Sequence, residues 1–195
     1  MCRNHRTPRS RQGRSTMKIA TGAEGREEAL IDLFAAAFTA SEGVEEGTLV
    51  GGLVRDLLTK TPASDIHVFR AEEDGDVIGA AVFTRLTYPE DPRNVVLLSP
   101  MAVAPAHQRR GVGKTLLAHA LEALRSEGAE VAITYGDPDY YERVGFAPIV
   151  EDQARAPLPL SHPHGWVGQS LTGRQMPVLC GVPSCVVALN RADIW

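Results

Sequence analysis

The apolar residues of the chain follow two rhythms. Leu30, Leu33, Phe34, Ala37 and Phe38 recur at three- and four-residue spacing, as do Val50, Leu53, Val54, Leu57 and Leu58, and again Leu117, Ala120, Leu121 and Leu124. Each set lies on one face of a helix. Glu27 and Glu28 supply an acidic opening turn to the first helix, where the helix dipole favours negative charge. Pro62 stands just past the second helix, and Gly128 closes the third. Strand-like runs occupy residues 18–20, 64–71, 77–87, 95–103 and 130–135, with a further apolar strand at 184–189. Asp74-Gly75 between two such runs predicts a hairpin, and Pro89 and Pro92 mark a second turn, so three consecutive strands make an antiparallel meander. Pro100 interrupts the 95–103 strand: it cannot donate a ladder hydrogen bond and so marks a bulge. The 130–135 strand is reached through a helix, hence runs parallel to 95–103. Residues 41–46 read as a solvated loop carrying three glutamates, and residues 157–166 as a proline-rich loop in which Trp166 packs.

Candidate chemistry lies between the 95–103 strand and the third helix, in Gln108-Arg109-Arg110-Gly111-Val112-Gly113-Lys114-Thr115. The first N–H groups of a helix have no intrahelical partner and carry the positive end of its dipole. Glycines that uncover them beside Arg and Lys make a cradle for an anion such as a pyrophosphate. Gly113 within a helix costs about 1 kcal/mol relative to Ala, which suits a position where something must approach the backbone closely. Gly113-Lys114-Thr115 also ends like a P-loop, but Gln108 stands where that loop needs its first glycine. The following strand is interrupted by Thr134, Tyr135 and Gly136 before Asp137, so a P-loop nucleotide hydrolase is set aside.

Val103-Ala104-Pro105 followed by Gln108, Gly111 and Gly113 resembles the acetyl-CoA signature V-x-P-x-x-[Q/R]-x-x-G-x-[G/A] of the GNAT N-acetyltransferases. A second block, from Gly136-Asp137-Pro138 through Tyr140-Tyr141 to Gly145-Phe146, resembles that superfamily's Y-x-x-x-G-F element, most closely in its YhbS-like branch. The resemblance covers roughly residues 17–150. It implies an α/β (mixed α+β) acyl-CoA N-acyltransferase fold. That fold has six to seven strands in a central mixed sheet, with an antiparallel N-terminal meander, a splayed parallel pair and flanking helices. It further implies acetyl-CoA as cosubstrate, no metal, and transfer to a primary amine of a small molecule or peptide by direct attack in a ternary complex. Met101, Ala102 and Val103 would hold the pantetheine arm and polarise the thioester. Gln108, Arg109, Arg110, Gly111, Val112, Gly113, Lys114 and Thr115 would hold the pyrophosphate. Tyr141, four residues before Gly145, stands at the general acid's position, with Tyr140 as the other candidate, since neighbours on a helix point about 100° apart. The base that takes the amine's proton stays open among Glu90, Asp91 and His67. The helix pair of the resembling family covers the acceptor groove, so residues 41–46 are a candidate acceptor contact. A non-catalytic acetyl-CoA-binding module is the alternative function, and a homodimer is an expectation, since resembling proteins are often dimers.

Composition changes this picture at the ends of the chain. Hydrophobic residues are 44% and charged residues 23% of the 195, an ordinary globular balance, and no apolar run approaches the roughly 18 residues of a membrane span. Residues 1–16 hold five arginines and no acidic residue, which predicts a disordered basic arm, or a start assigned upstream of Met17. Without it, 15 basic residues face 24 acidic ones, a net charge near −9. An acidic body argues against nucleic acid as its main partner, leaving only the arm for that role. Residues 17–195 read as a single domain, with 151–195 its divergent part. Cys2, Cys180 and Cys185 form no disulfide framework, which suits a reducing cytoplasm. Cys180 and Cys185, with His162 and His164 upstream, do not match zinc-ligand spacing and read as buried thiols.

Overall fold

The computed structural model describes residues 16–195. The arm read over residues 1–16 therefore lies, except for Thr16, outside the described residues, as does Cys2. Along the chain come β1 (Lys18–Thr21), α1 (Glu27–Glu42), α2 (Val44–Lys60), β2 (Ile66–Glu73), β3 (Asp76–Leu86) and β4 (Val95–Val103). Then follow α3 (Val112–Ser126), β5 (Val131–Tyr135), the single turn α4 (Pro138–Tyr141), β6 (Ala147–Pro148) and β7 (Trp166–Ser170). The strands form one sheet in the order β1-β2-β3-β4-β5-β7-β6, antiparallel throughout except between β4 and β5.

The sheet is covered on both faces, and side-chain alternation along the strands sorts residues between them. Ala80, Val82 and Leu86 of β3 join α1 and α2 through Leu30, Phe34, Val54 and Leu57. Ala81 and Phe83 join α3 through Leu116, Leu117, Ala120 and Leu124. Both helical faces and the meander are those the periodicity predicts.

Three expectations are corrected. Residues 41–46 are not a loop: Gly43 alone, at φ 104° and ψ 172°, separates α1 from α2. That conformation favours glycine, and Glu45 and Glu46 fall in the first turn of α2, where the helix dipole favours them. The two helices can fold back so sharply because Gly47 lies against α1: a Cβ there would be 1.9 Å from Thr39 Oγ1 and 2.6 Å from the Ala35 carbonyl oxygen. Residues 184–189 are not a strand. Ser184 makes one bridge to Thr87, with both backbone bonds formed (2.8 and 2.9 Å), after which Val187–Leu189 turn into a 3₁₀ helix. The outer strand next to β5 is instead β7, which begins at Trp166 itself. That indole is fully buried and donates to the Ala154 carbonyl at 2.7 Å.

The α1–α2 contact yields a paired prediction. Gly47→Ala should lower stability by about 2 kcal/mol, because the clash with the α1 backbone outweighs the roughly 1 kcal/mol helix-propensity gain. Gly52→Ala, in the same helix with nothing within 4 Å of the added carbon, should raise it by about 1 kcal/mol. Urea unfolding of both variants checks the pair; equal shifts in one direction would refute the close crossing.

Candidate functional site: the cleft between the parallel strands

The parallel pairing of β4 with β5 runs from Val95 opposite Val131 to Leu98 opposite Thr134, and there it ends. β4 continues along β3 as far as Val103, paired with Gly79. Between Leu98 and Met101 the register with β3 slips: Ser99 and Pro100 together face Val82. This is the bulge that Pro100 predicts. Beyond it the Ala104 N–H donates to the Ile78 carbonyl of β3 at 2.9 Å. Backbone groups of an antiparallel strand alternate sides, so Ala102 also faces β3, while the N–H groups of Met101 and Val103 face the gap left by β5. Of the three residues read as pantetheine contacts, Ala102 therefore has its N–H in the ladder. At the apex of the gap the buried Thr134 hydroxyl donates to the Leu98 carbonyl at 2.9 Å.

The mouth of the gap meets the start of α3. Arg109 (φ 59°) and Gly111 (φ 81°) both adopt left-handed backbone conformations, and no side chain caps the helix. The Thr115 N–H is bonded to the Gly111 carbonyl at 3.0 Å, whereas those of Val112, Gly113 and Lys114 have no acceptor among the described residues. Thr115 thus offers its exposed side chain alone, and the cradle is three backbone donors at the positive end of the helix. Gln108, though exposed, is tied to the protein: its amide donates to the Val103 carbonyl at 3.1 Å and pins the loop. Arg110 leans 3.2 Å from Glu73, which also takes His107 at 3.3 Å. Arg109 and Lys114 are exposed and have no carboxylate partner among the described residues. Val112 is buried, its methyl 3.2 Å from where a Cβ on Gly79 would stand. Gly113 is buried too, and what approaches it is protein: a Cβ there would be 2.2 Å from Tyr140 Oη and 2.8 Å from Met101 Cε.

The two tyrosines hang from α4, whose start is fixed by Asp137, its carboxylate accepting from the Asp139 N–H at 3.0 Å, and by Pro138 in the first turn. Their rings meet edge to face at 5.2 Å and part company from there. Tyr141 packs on Phe146 (5.6 Å) and over Gly136, where a Cβ would be 2.9 Å from its ring. Burial pushes its hydroxyl up to about 12, partly offset by hydrogen bonding with Thr134, so Tyr141 reaches the apex of the gap. Tyr140 points instead at the mouth, its hydroxyl 3.7 Å from Met101 Sδ. Thr134 is the residue sequence reasoning missed. It sits at the apex between Leu98 and Tyr141, and its only signal was a lone hydroxyl inside an apolar strand.

None of the three candidate bases lies in the gap. His67 is on the α3 side of β2, 3.2 Å from Glu127 at the far end of that helix. Asp91, its side chain 4% exposed, accepts from the Arg93 backbone and guanidinium and from the Cys180 N–H, and so ties the β3–β4 turn to the C-terminal segment. Glu90 packs beside Gly181 in that same segment. Of the cysteines read as buried, Cys180 is exposed and Cys185 partly buried, in the irregular chain around Ser184. No helix among the described residues is long and apolar enough to cross a membrane.

Comparison with known proteins agrees with this geometry. The model of the acetyltransferase (GNAT) family matches residues 27–146, more than half of the chain. The Escherichia coli K12 protein YjhQ, named an uncharacterized N-acetyltransferase, is 34% identical over 129 residues, covering 64% of this chain and 71% of that protein. In structure the chain is similar to the GNAT family N-acetyltransferase YhbS of Escherichia coli in complex with CoA. Their TM-score is 0.75 at 21% identity, with 97% of each chain covered. A Brucella melitensis GNAT family acetyltransferase in complex with acetyl-CoA aligns with TM-score 0.65 at 25% identity, over 90% of this chain and 99% of that one. With a family signature at the mouth of its cleft and a matching family model over most of its length, the chain belongs to the GNAT family of acetyltransferases.

Proposed function

We propose that the chain is an acetyl-CoA-dependent N-acetyltransferase that acylates a primary amine by direct attack, with Tyr141 as the general acid. The observation that carries this reading is the cleft itself, a parallel pair that parts at Leu98 and Thr134, with unpaired N–H donors along one wall and a partly buried tyrosine at the apex. The donor set fits coenzyme A. The N–H groups of Val112, Gly113 and Lys114, with the side chains of Arg109 and Lys114, suit its pyrophosphate. Arg110 is shared with Glu73 and contributes less.

Bound acetyl-CoA supplies an activated thioester. The N–H groups of Met101 and Val103 stabilise the carbonyl oxygen as it gains charge during attack by the amine nitrogen. As the carbon–sulfur bond breaks, Tyr141 donates to sulfur. Full transfer from a phenol near 12 to a thiolate with a pKa near 8.5 is uphill by roughly 5 kcal/mol. Tyr141 therefore acts as general acid through a hydrogen bond to the charge developing on sulfur, giving up its proton only as solvent restores one to the phenol oxygen. The amine surrenders its proton to water, since no carboxylate or imidazole among Glu90, Asp91 and His67 faces the gap. The acceptor is an amine of a small molecule or peptide.

Coenzyme A release should be measured across a panel of amines and peptides. Tyr141→Phe is expected to lower kcat at least tenfold while the KM for acetyl-CoA stays within about twofold. Absence of both turnover and thermal protection by acetyl-CoA would sink the reading. Protection without turnover favours the binding module.

The pH profile gives a second expectation. A hydroxyl raised to about 12 keeps its proton below that pH, so Tyr141 adds no falling limb up to pH 10. The rate should instead rise with pH as the amine deprotonates, with the same shape in Tyr141→Phe. A fall between pH 8 and 10 in the native protein that vanishes in the variant would contradict this assignment.

A further inference from the structure

Tyr140 is left without a task by the reaction, yet it is held more exactingly than packing requires. Its hydroxyl reaches across the mouth of the cleft from α4, on the β5 side, to Met101 of β4 and to the first turn of α3. Its hydrogen bond is to the Met101 thioether at 3.7 Å, a weak acceptor that releases a donor readily. The family signature takes Gly or Ala at position 113, but here only Gly fits. An alanine Cβ would stand 2.2 Å from Tyr140 Oη, whereas only the movable end of Met101, at 2.8 Å, and a Val103 methyl, at 3.4 Å, come next. The Tyr140 ring carbons are no nearer than that methyl, so within Tyr140 the conflict is with the hydroxyl.

Resting on the cofactor reading above, we propose that Tyr140 is a cofactor-binding residue. Its hydroxyl, parked on Met101 Sδ over Gly113, turns to an oxygen at the pyrophosphate–pantetheine junction of coenzyme A, and Gly113 is reserved for that hydroxyl. Two observations support a donor at this place. The hydroxyl lies between the two sets of unpaired backbone N–H groups, those of Met101 and Val103 and those of Val112 to Lys114, and so beside the path that joins them. Burial also raises its pKa, with Arg143 opposing, so the proton is present at working pH. Tyr141 and Tyr140 thereby divide the cleft between chemistry at the apex and binding at the mouth.

The test uses Tyr140→Phe, Gly113→Ala and the double variant, read by calorimetric titration with coenzyme A and by thermal midpoints of the unliganded proteins. Tyr140→Phe should weaken coenzyme A binding about fivefold to tenfold without lowering the midpoint by more than a degree or two. Gly113→Ala should lower the midpoint and weaken binding when Tyr140 is present. In the Tyr140→Phe background the same Gly113→Ala substitution should raise the midpoint, since the closest clash is gone, the flexible end of Met101 can give way and alanine favours the helix. Native-like coenzyme A affinity in Tyr140→Phe would overturn the proposal, as would a Gly113→Ala effect of the same sign in both backgrounds. Failure of the native protein to bind coenzyme A would instead fault the cofactor reading itself.

Discussion

The structure turns on how the backbone of β4 is satisfied. A central strand normally has its N–H and C=O groups paired on both sides, because a buried orphan is expensive. β4 obeys this up to Leu98 and then keeps only β3. Pro100 lacks an N–H, and its bulge shifts the register so that beyond it the donors of Met101 and Val103 face the gap. Thr134 seals the apex by occupying the last carbonyl before the gap, that of Leu98. The remaining elements follow from this. α3 begins where β4 runs out, α4 begins where β5 runs out, and the two helix starts bracket one cleft.

Steric fit, more than charge, assigns the two tyrosines. Adjacent residues on a helical turn diverge by about 100°, so only one can enter the apex. Each ring has a glycine cut to receive it: Gly136 beneath Tyr141 and Gly113 beneath the Tyr140 hydroxyl. A side chain at either position would evict its tyrosine. The cost of glycine inside α3 is therefore explained by a tyrosine from α4, a contact between distant segments that no local pattern announces.

What could be read in the sequence was what rests on local periodicity and on short motifs. The three long helices, the meander, the bulge at Pro100 and the parallel crossover all emerge that way, and the two signature blocks delimit the cleft. What could not be read depends on distant pairing. β7 is five residues containing Gly168 and Gln169, and it becomes a strand because β5 offers it an edge and Gly168 leaves room for Ile149 and Met176. Residues 184–189 have the composition of a strand but find only Thr87 as partner. His67 looked like a groove residue, yet β2 is buried on both faces near it. Neighbours Val68 and Phe69 belong to opposite cores, so hydrophobicity does not reveal which way His67 points.

The acidic body makes the proposed cofactor cradle instructive. Residues 17–195 carry a net charge near −9, and Glu73 stands beside the loop, engaging both Arg110 and His107. A polyanion approaching such a surface gains little from long-range attraction, which salt screens within about 10 Å in any case. The attraction must be short-ranged, and the backbone supplies it. Three N–H groups at the start of α3 are fixed in direction by the helix, lose no side-chain entropy on binding and act where the helix dipole is positive. The left-handed residues Arg109 and Gly111 keep the preceding chain from covering them. Glu73, by engaging Arg110, ties the loop to the β2–β3 hairpin. On the proposed reading, recognition at this site is a matter of geometry, with Arg109 and Lys114 adding charge at close range, and an anion of the wrong shape gains nothing from the surface around it.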